Sequence, residues 1–219
     1  MVYRTGVLDS VDDTRAELLD RALELFAAYG YDGVGVQQIC DAAGVTKPTL
    51  YHYFGSKRGV LEKLMEERLR ALHAALAAVA APERELAALL TNVASATFAY
   101  ARTQPTFYRL YLTLWFAPAR SEPCDVARRF HERHFEAIEQ LFRKAERGRR
   151  EAKGRRRALA AAFLGMLNNK ISLALNDYVA LTARLARKTV DEFLYGVRPR
   201  PEHDAPARRR RRVSIPSGK

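Results

Sequence analysis

The chain has 219 residues, of which 48% are hydrophobic and 28% are charged. This composition predicts a folded chain with a buried core and excludes wholesale disorder. The two cysteines, Cys40 and Cys124, lie far apart, which excludes a disulfide scaffold and a thiolate zinc cluster. The first ten residues lack the apolar stretch of a secretion signal, and no apolar run is long enough to cross a bilayer. We therefore expect a cytoplasmic protein with no membrane partner.

The positive charge is concentrated in two segments. The formal net charge is +12, and residues 143–157 and 198–219 account for it, with nine and eight Lys/Arg against two acidic residues each. Residues 1–60 carry six Lys/Arg against eight Asp/Glu, so net charge does not mark them as a nucleic-acid site. The run Arg208–Arg212 fits either a tether that strengthens nonspecific DNA affinity or an ordinary solvated tail.

Three helices are predicted near the N-terminus. Apolar residues recur at three- and four-residue spacing over 12–29, which is typical of an amphipathic helix. A second helix is predicted over 36–43 and ends at Gly44. A third follows at once, with Thr46 as its N-cap and Pro48 in its first turn, where the missing N–H of proline costs nothing.

The rest of the chain also has helical periodicity. Ser56 can cap a long fourth helix, and prolines punctuate the stretches that follow. We predict further helices at 82–103, 105–117, 121–148, 154–180 and 183–196. No strand alternation is present, and beyond Val197 the composition predicts a disordered basic tail. The predicted fold is all-α, with domains over 1–60 and 61–197 and a tail over 198–219.

The second and third helices have the parts of a helix-turn-helix. The outward residues of the third helix are Lys47, Pro48, Thr49, Tyr51, His52 and Tyr53, although one of the two tyrosines is expected to pack inward. Lys47 can reach a phosphate or a guanine edge, and the hydroxyls of Thr49 and Tyr51 can bond phosphate oxygens. Tyr51 follows the predicted core residue Leu50, so its side chain is expected to face away from the core. Such a helix enters the major groove with its N-terminus first.

These residues resemble the TetR family of bacterial one-component repressors over about residues 14–64. The resemblance lies in the order and spacing of several short pieces: Phe26–Tyr31, Ile39, Ala42–Val45, Thr49–Tyr51, Tyr53–Phe54 and Lys57. It implies a homodimer in which an N-terminal three-helix domain binds double-stranded operator DNA and a C-terminal helical domain binds a small inducer and dimerises. The family's DNA-contact positions fall on Gln37, Lys47, Pro48, Thr49, Tyr51, His52 and Lys57.

One departure from the family pattern concerns the start of the second helix. Family members commonly carry Thr or Ser where this chain has Val34, Gly35 and Val36. Those hydroxyls cap the helix and touch a phosphate. Gly35 can cap through its backbone at little cost, but it supplies no phosphate contact.

An aromatic-rich stretch over 98–116 indicates either an apolar ligand cavity or plain helix-packing core. The candidate ligand residues are Tyr100, Gln104, Tyr108, Tyr111, Trp115, His134, Asn168 and Asn169. His131 and His134 stand three apart on a helix, a spacing that can bind zinc, but no third ligand is evident. We therefore predict no metal and no cofactor.

The apolar helix over 158–179 needs cover on more than one side. With the helix at 183–196 it can form half of a four-helix dimer interface, and the alternative is an intramolecular core helix. The family resemblance favours the interface, and the candidate dimerisation residues are Leu164, Leu167, Ile171, Leu175, Phe193 and Leu194.

The resulting interpretation is a homodimeric repressor that a small hydrophobic or aromatic inducer releases from a near-palindromic operator. An activator or a low-specificity DNA-coating protein of the same fold is the first alternative. A helical ligand-binding module or enzyme with no DNA role is more remote. No nucleophile elbow, Gly-rich phosphate loop or metal set is evident in the sequence, so we do not expect an enzyme.

Overall fold

The computed structural model describes residues 11–80, 85–145 and 155–196. Within these ranges the chain forms nine α-helices and no strand, which confirms the predicted all-helical fold. The helices are α1 (Val11–Tyr29), α2 (Val36–Ala43), α3 (Lys47–Phe54), α4 (Lys57–Ala80), α5 (Leu86–Thr103), α6 (Pro105–Trp115), α7 (Glu122–Ala145), α8 (Arg156–Ala174) and α9 (Ala183–Tyr195).

The first three helices pack around one apolar core. Leu18, Phe26, Ile39 and Leu50 are each at most 1% exposed. Cys40 is fully buried beside them, which confirms its prediction as a small core residue. Because α2 and α3 have only eight residues each, this burial and not intrinsic helicity stabilises them.

The ends of α2 fix the direction in which α3 leaves. Gly44 has a φ of +67°, a left-handed conformation that glycine adopts without strain, and the backbone N–H of Val45 returns to the Cys40 carbonyl at 3.0 Å. At the other end, Gly35 is the N-cap, and its backbone N–H donates to the Gln38 side-chain oxygen at 2.6 Å. Gln38 thus supplies part of the capping that the family's hydroxyl residues would give.

The long helix α4 joins the N-terminal helices to the rest of the chain. The Ser56 hydroxyl accepts a hydrogen bond from the Gly59 N–H at 3.0 Å, which confirms the predicted cap. α4 packs against α1 and α3 near its start and against α5 and α7. It crosses position 60 without a break, so the boundary predicted there falls inside a continuous helix.

The C-terminal helices form a bundle around α5 and α7. α5 packs against α4 and α9, and α7 packs against α4, α6 and α8. α1 also contacts α6, so the N-terminal helices touch the bundle directly as well as through α4. No helix in the described part of the chain is long and apolar enough to cross a membrane.

The predicted helix over 154–180 was too long at its C-terminus. α8 ends at Ala174, and Asp177 adopts a φ of +61°. The backbone N–H of Tyr178 bonds to the Leu173 carbonyl at 3.0 Å, and that of Asp177 bonds to the Ala174 carbonyl at 3.1 Å. This pair of bonds is a Schellman closure in which aspartate occupies the usual glycine position. Tyr178, predicted as part of the apolar helix face, is consequently 76% exposed.

Smaller differences affect other helix ends. α6 ends at Trp115, two residues earlier than predicted, and α9 matches its predicted span to within one residue. The predicted ends at 82, 148 and 154, the tail over 198–219 and most of the basic segment over 143–157 lie outside the described residues.

Gly59 is a site where a single methyl group should disturb the contact between α3 and α4. A Cβ at Gly59 would lie 1.8 Å from the backbone oxygen of Phe54. We expect Gly59→Ala to lower the free energy of unfolding by about 1–3 kcal/mol, although alanine favours helix by about 1 kcal/mol. Urea denaturation followed by circular dichroism measures this change in the free energy of unfolding. Lys63→Ala, which removes an exposed pair with Glu66 on the same helix, is the control and should change stability by less than about 0.5 kcal/mol. A Gly59→Ala protein as stable as the parent would contradict the close approach.

Candidate nucleic-acid interface and ligand groove

The third helix buries one face and exposes the other. Leu50 is fully buried and Phe54 is 9% exposed, so these two residues, four apart, hold α3 against the core. Tyr51 is 47% exposed, which confirms that it faces away from the core. The exposed residues of α3 are Lys47, Pro48, Tyr51 and His52. One surface therefore carries a cation, a phenol, an imidazole and an apolar ring, and each of them can contact DNA.

Two other predicted contact residues have partners inside the chain. Thr49 is half-buried, and its hydroxyl lies 2.9 Å from that of Thr46. Gln37 is exposed in the first turn of α2 and donates its side-chain amide to Asp41 at 2.6 Å. Both bonds lie at the surface, where exchange for a phosphate oxygen costs little.

Lys57 supports the connector between α1 and α2. Its Nζ donates to the backbone carbonyls of Tyr31 and Val34 at 3.1 and 3.0 Å and lies 4.2 Å from the centroid of the Tyr31 ring. Two of its three N–H groups are thus used within the chain. Contact between Lys57 and a phosphate stays a prediction, and the structure adds a positioning role that the sequence did not show.

Tyr31 also links the N-terminal helices to α7. Its hydroxyl donates to the carboxylate of Glu122, in the first turn of α7. The pKa of the Tyr31 phenol is raised, first by burial and then by this carboxylate, so the phenol stays protonated and remains a donor. A second link joins Arg129 on α7 to Glu62 on α4. α7 is therefore connected to the N-terminal region through side chains that are 91 and 67 residues apart in sequence.

Four of the eight predicted ligand residues form a packed aromatic cluster and not a cavity wall. Tyr108 is 1% exposed, and its ring centroid lies 6.2 Å from that of Tyr100 and 5.9 Å from that of Tyr111. His134 is 2% exposed and lies 6.1 Å from the Tyr111 ring. These four side chains fill the space between α5, α6 and α7 themselves, and their contact with a ligand stays a prediction.

Three polar residues of the ligand prediction lie elsewhere. Gln104 is half-buried and joins α5 to α6 through backbone bonds to Tyr100 and Tyr108 at 2.9 and 3.0 Å. Asn168 is half-buried and Asn169 is exposed on α8. Of the eight, only Trp115 lines the groove described next.

A groove of about 530 Å³ lies between the end of α6, the first half of α7 and the start of α8. Ligand sites in proteins commonly have volumes of about 300–1,000 Å³. The α7 wall is built by Cys124, Ala127, Arg128, His131, Glu132 and Phe135. These residues recur at three- and four-residue spacing, so helical periodicity could have grouped them, but nothing in the sequence shows that α6 and α8 leave this face open.

The two spaced histidines have different surroundings. His134 Nδ1 lies 3.0 Å from Nε2 of His73 on α4, and their rings stack at an interplanar angle of 10°. Burial, followed by the charges of His73 and His131, lowers the pKa of His134 to about 3. His131 lies on the groove wall with its ring 4.4 Å from that of Trp115. Among the described residues, no three His, Cys, Asp or Glu side chains are grouped to hold a metal ion.

The predicted dimerisation residues divide into two groups. Leu167 and Ile171 are fully buried and Leu164 is 9% exposed, so these three pack within the chain, and their assignment to a dimer interface is corrected. Leu175, Phe193 and Leu194 are half-buried at the edge of the core. The exposed face of α8 carries small residues instead: Ala158, Ala161, Ala162, Gly165, Asn169 and Ser172.

The architecture is that of a helix-turn-helix protein in which the outer face of α3, the second helix of the motif, is exposed at one end of a helical bundle. The sequence model of the family described as "Bacterial regulatory proteins, tetR family" matches residues 18–64. The HTH-type transcriptional regulator BetI of Brucella suis biovar 1 is 33% identical over 145 residues, which cover 62% of this chain and 71% of BetI. The chain belongs to the tetR family and is a transcriptional regulator.

Other relatives match over shorter stretches. The transcriptional activator FasR of Mycolicibacterium smegmatis is 48% identical over 46 residues, 21% of each chain, and the transcriptional repressor KstR2 of Rhodococcus jostii is 43% identical over 51 residues, 23% of this chain and 25% of KstR2. Among solved structures, FadR of Bacillus subtilis in complex with stearoyl-CoA has a TM-score of 0.72 at 17% identity over 84% of this chain and 99% of FadR. That likeness shows the fold.

Two lysines near the recognition helix should differ sharply in their effect on stability. Lys57→Ala removes two charge-assisted bonds to backbone carbonyls, and we expect the free energy of unfolding to fall by about 1–3 kcal/mol. Lys47→Ala removes an exposed side chain and should change it by less than about 0.5 kcal/mol. Urea denaturation of both variants tests this, and equal effects would refute the positioning role of Lys57.

Proposed function

We propose that this protein is a homodimeric repressor that binds a near-palindromic operator through α3 and is released by a small hydrophobic or aromatic inducer. The observation that carries the DNA-binding part is α3 itself. Its apolar residues hold it rigidly while Lys47, Pro48, Tyr51 and His52 remain exposed on one surface. In a two-fold symmetric dimer, two such helices would enter successive major grooves about 34–36 Å apart.

The groove between α6, α7 and α8 supports a response to a ligand. It has the volume of a small-molecule site and a largely apolar lining. A structural neighbour, FadR of Bacillus subtilis, is described in complex with stearoyl-CoA. An inducer releases DNA only to the extent that it binds better to the conformation with the wrong separation of recognition helices.

We infer that α7 carries this response. The same helix builds one wall of the groove and makes one link to the connector before α2, from Glu122 to Tyr31, and one to the start of α4, from Arg129 to Glu62. A ligand that displaces α7 would strain or break these links. Tyr31 is in turn bound to Lys57 at the start of α4, directly after the recognition helix.

An activator with the same fold is the second candidate function. FasR is named an activator and KstR2 a repressor, and each matches less than a quarter of this chain. The two functions differ in where the operator lies relative to the promoter. A low-specificity coating protein would show steep salt dependence without sequence preference.

The part of the exposed face of α8 that lies outside the groove, with Ala162, Gly165, Asn169 and Ser172, is our candidate for the contact with a second copy. Its small side chains allow the backbones of two helices to approach closely. Leu175, Phe193 and Leu194 are partly exposed and can add apolar area at its edge. This arrangement keeps the predicted α8–α9 interface but replaces its buried leucines with the small residues of α8.

Sequence-specific binding is tested by fluorescence anisotropy on the DNA upstream of the protein's own gene and on a duplex selected from a random library. We expect a preference of at least about 10³-fold over a scrambled duplex at near-physiological salt. Tyr51→Ala should remove most of this preference while the protein stays folded. Tyr178→Ala, at another exposed tyrosine in the turn after α8, is the matched control and should leave it unchanged. Equal, weak and salt-sensitive binding to all duplexes would refute the proposed function.

Dimerisation is tested by a charge on the exposed face of α8. The parent should sediment at twice the 24.8 kDa chain mass, and Ala162→Glu should sediment as a monomer, because it would bury two carboxylates against each other. Ala74→Glu places the same charge on an exposed position of α4 and should leave the dimer intact. A dimeric Ala162→Glu protein would place the interface elsewhere.

A further inference from the structure

His131 is the polar centre of the groove. Its ring lies between two aromatic rings of α6, with centroids 4.6 Å from Tyr111 at an interplanar angle of 82° and 4.4 Å from Trp115 at 53°. Its Nε2 is buried and has no hydrogen-bond partner among the described residues. A buried polar atom without a partner is rare in folded proteins and calls for an explanation, of which a ligand is one.

The protonation state of His131 defines what such a ligand must offer. The backbone of Tyr111 interacts with the ring and raises its pKa, and because Nε2 has no partner we assign the ring proton to Nδ1. Burial outweighs this bond and lowers the pKa of His131 to about 4, so the ring is neutral at pH 7. In this tautomer Nε2 is a lone-pair acceptor, and its complement is a hydroxyl or N–H donor.

The two arginines of the groove are held to different degrees. Arg157 is held by Glu132 at 2.7 Å and stacks on the Phe135 ring at 4.7 Å. Arg128 is less constrained, because its nearest acidic partner, Asp125, lies at 3.8 Å and 69% of its side chain is exposed. Arg157 has a second carboxylate partner, Glu139, at 3.8 Å, so Arg128 is the arginine of the groove that can exchange its longer pair with Asp125 for a bound anion.

We propose that this groove binds a phenolic acid, whose hydroxyl donates to His131 Nε2, whose ring packs beside Trp115 and Phe135, and whose carboxylate pairs with Arg128. The exposed Trp115 and the half-buried Phe135 offer flat apolar surfaces on α6 and α7. Ala127, Ala158 and Ala161 leave room between them. An aromatic ring matches these walls better than a flexible chain, because it loses less conformational freedom when it binds.

This inference rests on the proposed function, since it names the ligand class of the inducer groove. The two can fail separately, because ligand binding is measured on the protein without DNA. Specific operator binding by a protein with no affinity for phenolic acids would refute only the proposed class of ligand. Phenolic-acid binding by a protein that prefers no DNA duplex would refute the proposed sequence-specific regulator and leave the assignment of the groove intact.

The probe is 3-(4-hydroxyphenyl)propionate. Trp115 is the single tryptophan of the chain and lines the groove, so its fluorescence reports occupancy there, and isothermal titration calorimetry gives the affinity independently. For a probe of this size we expect a Kd of about 0.1–1 mM. Three compounds of similar size test the features one by one: 3-phenylpropionate lacks the donor, 3-(4-hydroxyphenyl)propanamide lacks the charge, and decanoate lacks the ring. Each should bind at least about threefold more weakly.

Variants at His131 separate a ligand contact from a packing role. In the parent, the phenol should bind about 3–10-fold more tightly than the phenyl compound. His131→Leu should reduce this ratio to about 1 while it retains affinity for 3-phenylpropionate. His131→Gln keeps an acceptor and should restore part of the ratio. If His131 had only a structural role, its substitution would weaken the binding of both compounds equally and leave the ratio of their affinities unchanged.

Variants at arginine test the anionic end in the same way. Arg128→Gln should remove the difference between the acid and the amide, and Arg70→Gln, at an exposed position of α4, should not. Decanoate that binds more tightly than the phenolic acid would overturn the aromatic assignment. A parent protein that binds the phenol and phenyl compounds equally, or binds neither, would overturn the role of His131 Nε2 as a ligand acceptor.

Discussion

The buried apolar stripe of α4 is the constraint on which both ends of the molecule depend. Eight of its residues are buried, from Val60 in the first turns to Ala80 at the last, and full burial of a leucine side chain contributes about 1.5–3 kcal/mol. The first turns pack under α3, while the rest of the helix packs against α5 and α7. α3 and the C-terminal helices therefore both pack on one continuous helix, so a change in the packing around α4 or α7 can reach α3.

Polar contacts between these helices contribute less to the stability of the fold than the burial of apolar side chains does. The ion pairs that connect α4 to α1 and to α7 are partly exposed, and such pairs are individually worth about 0–1 kcal/mol. Contacts of this strength can be broken by a ligand of ordinary affinity without unfolding the protein. The hydrogen bond between Tyr31 and Glu122 is also a contact of this kind, and it joins the connector before α2 to the helix that lines the groove.

The three histidines on α4 and α7 differ in whether their ring nitrogens have hydrogen-bond partners. His73 and His134 satisfy each other at 3.0 Å inside the bundle, so they make a polar contact at no cost in unpaired groups. His131 stands one helical turn away and lacks a partner for Nε2 among the described residues. The unsatisfied member of the set is the one that faces the groove, which is the reason to connect it with binding.

The sequence by itself determined the helices and the helix-turn-helix, because their signals are local: apolar spacing, the left-handed Gly44, Thr46 at the N-cap of α3 and Pro48 in its first turn. It also identified the exposed face of α3, since Leu50 and Phe54 fix which side is buried. Only the tertiary structure decided that Tyr108 and Tyr111 are core while Trp115 and His131 line a groove, because aromatic residues on one helix look alike until neighbouring helices cover some of them. The same holds for Lys57, whose partners at Tyr31 and Val34 lie more than 20 residues away along the chain.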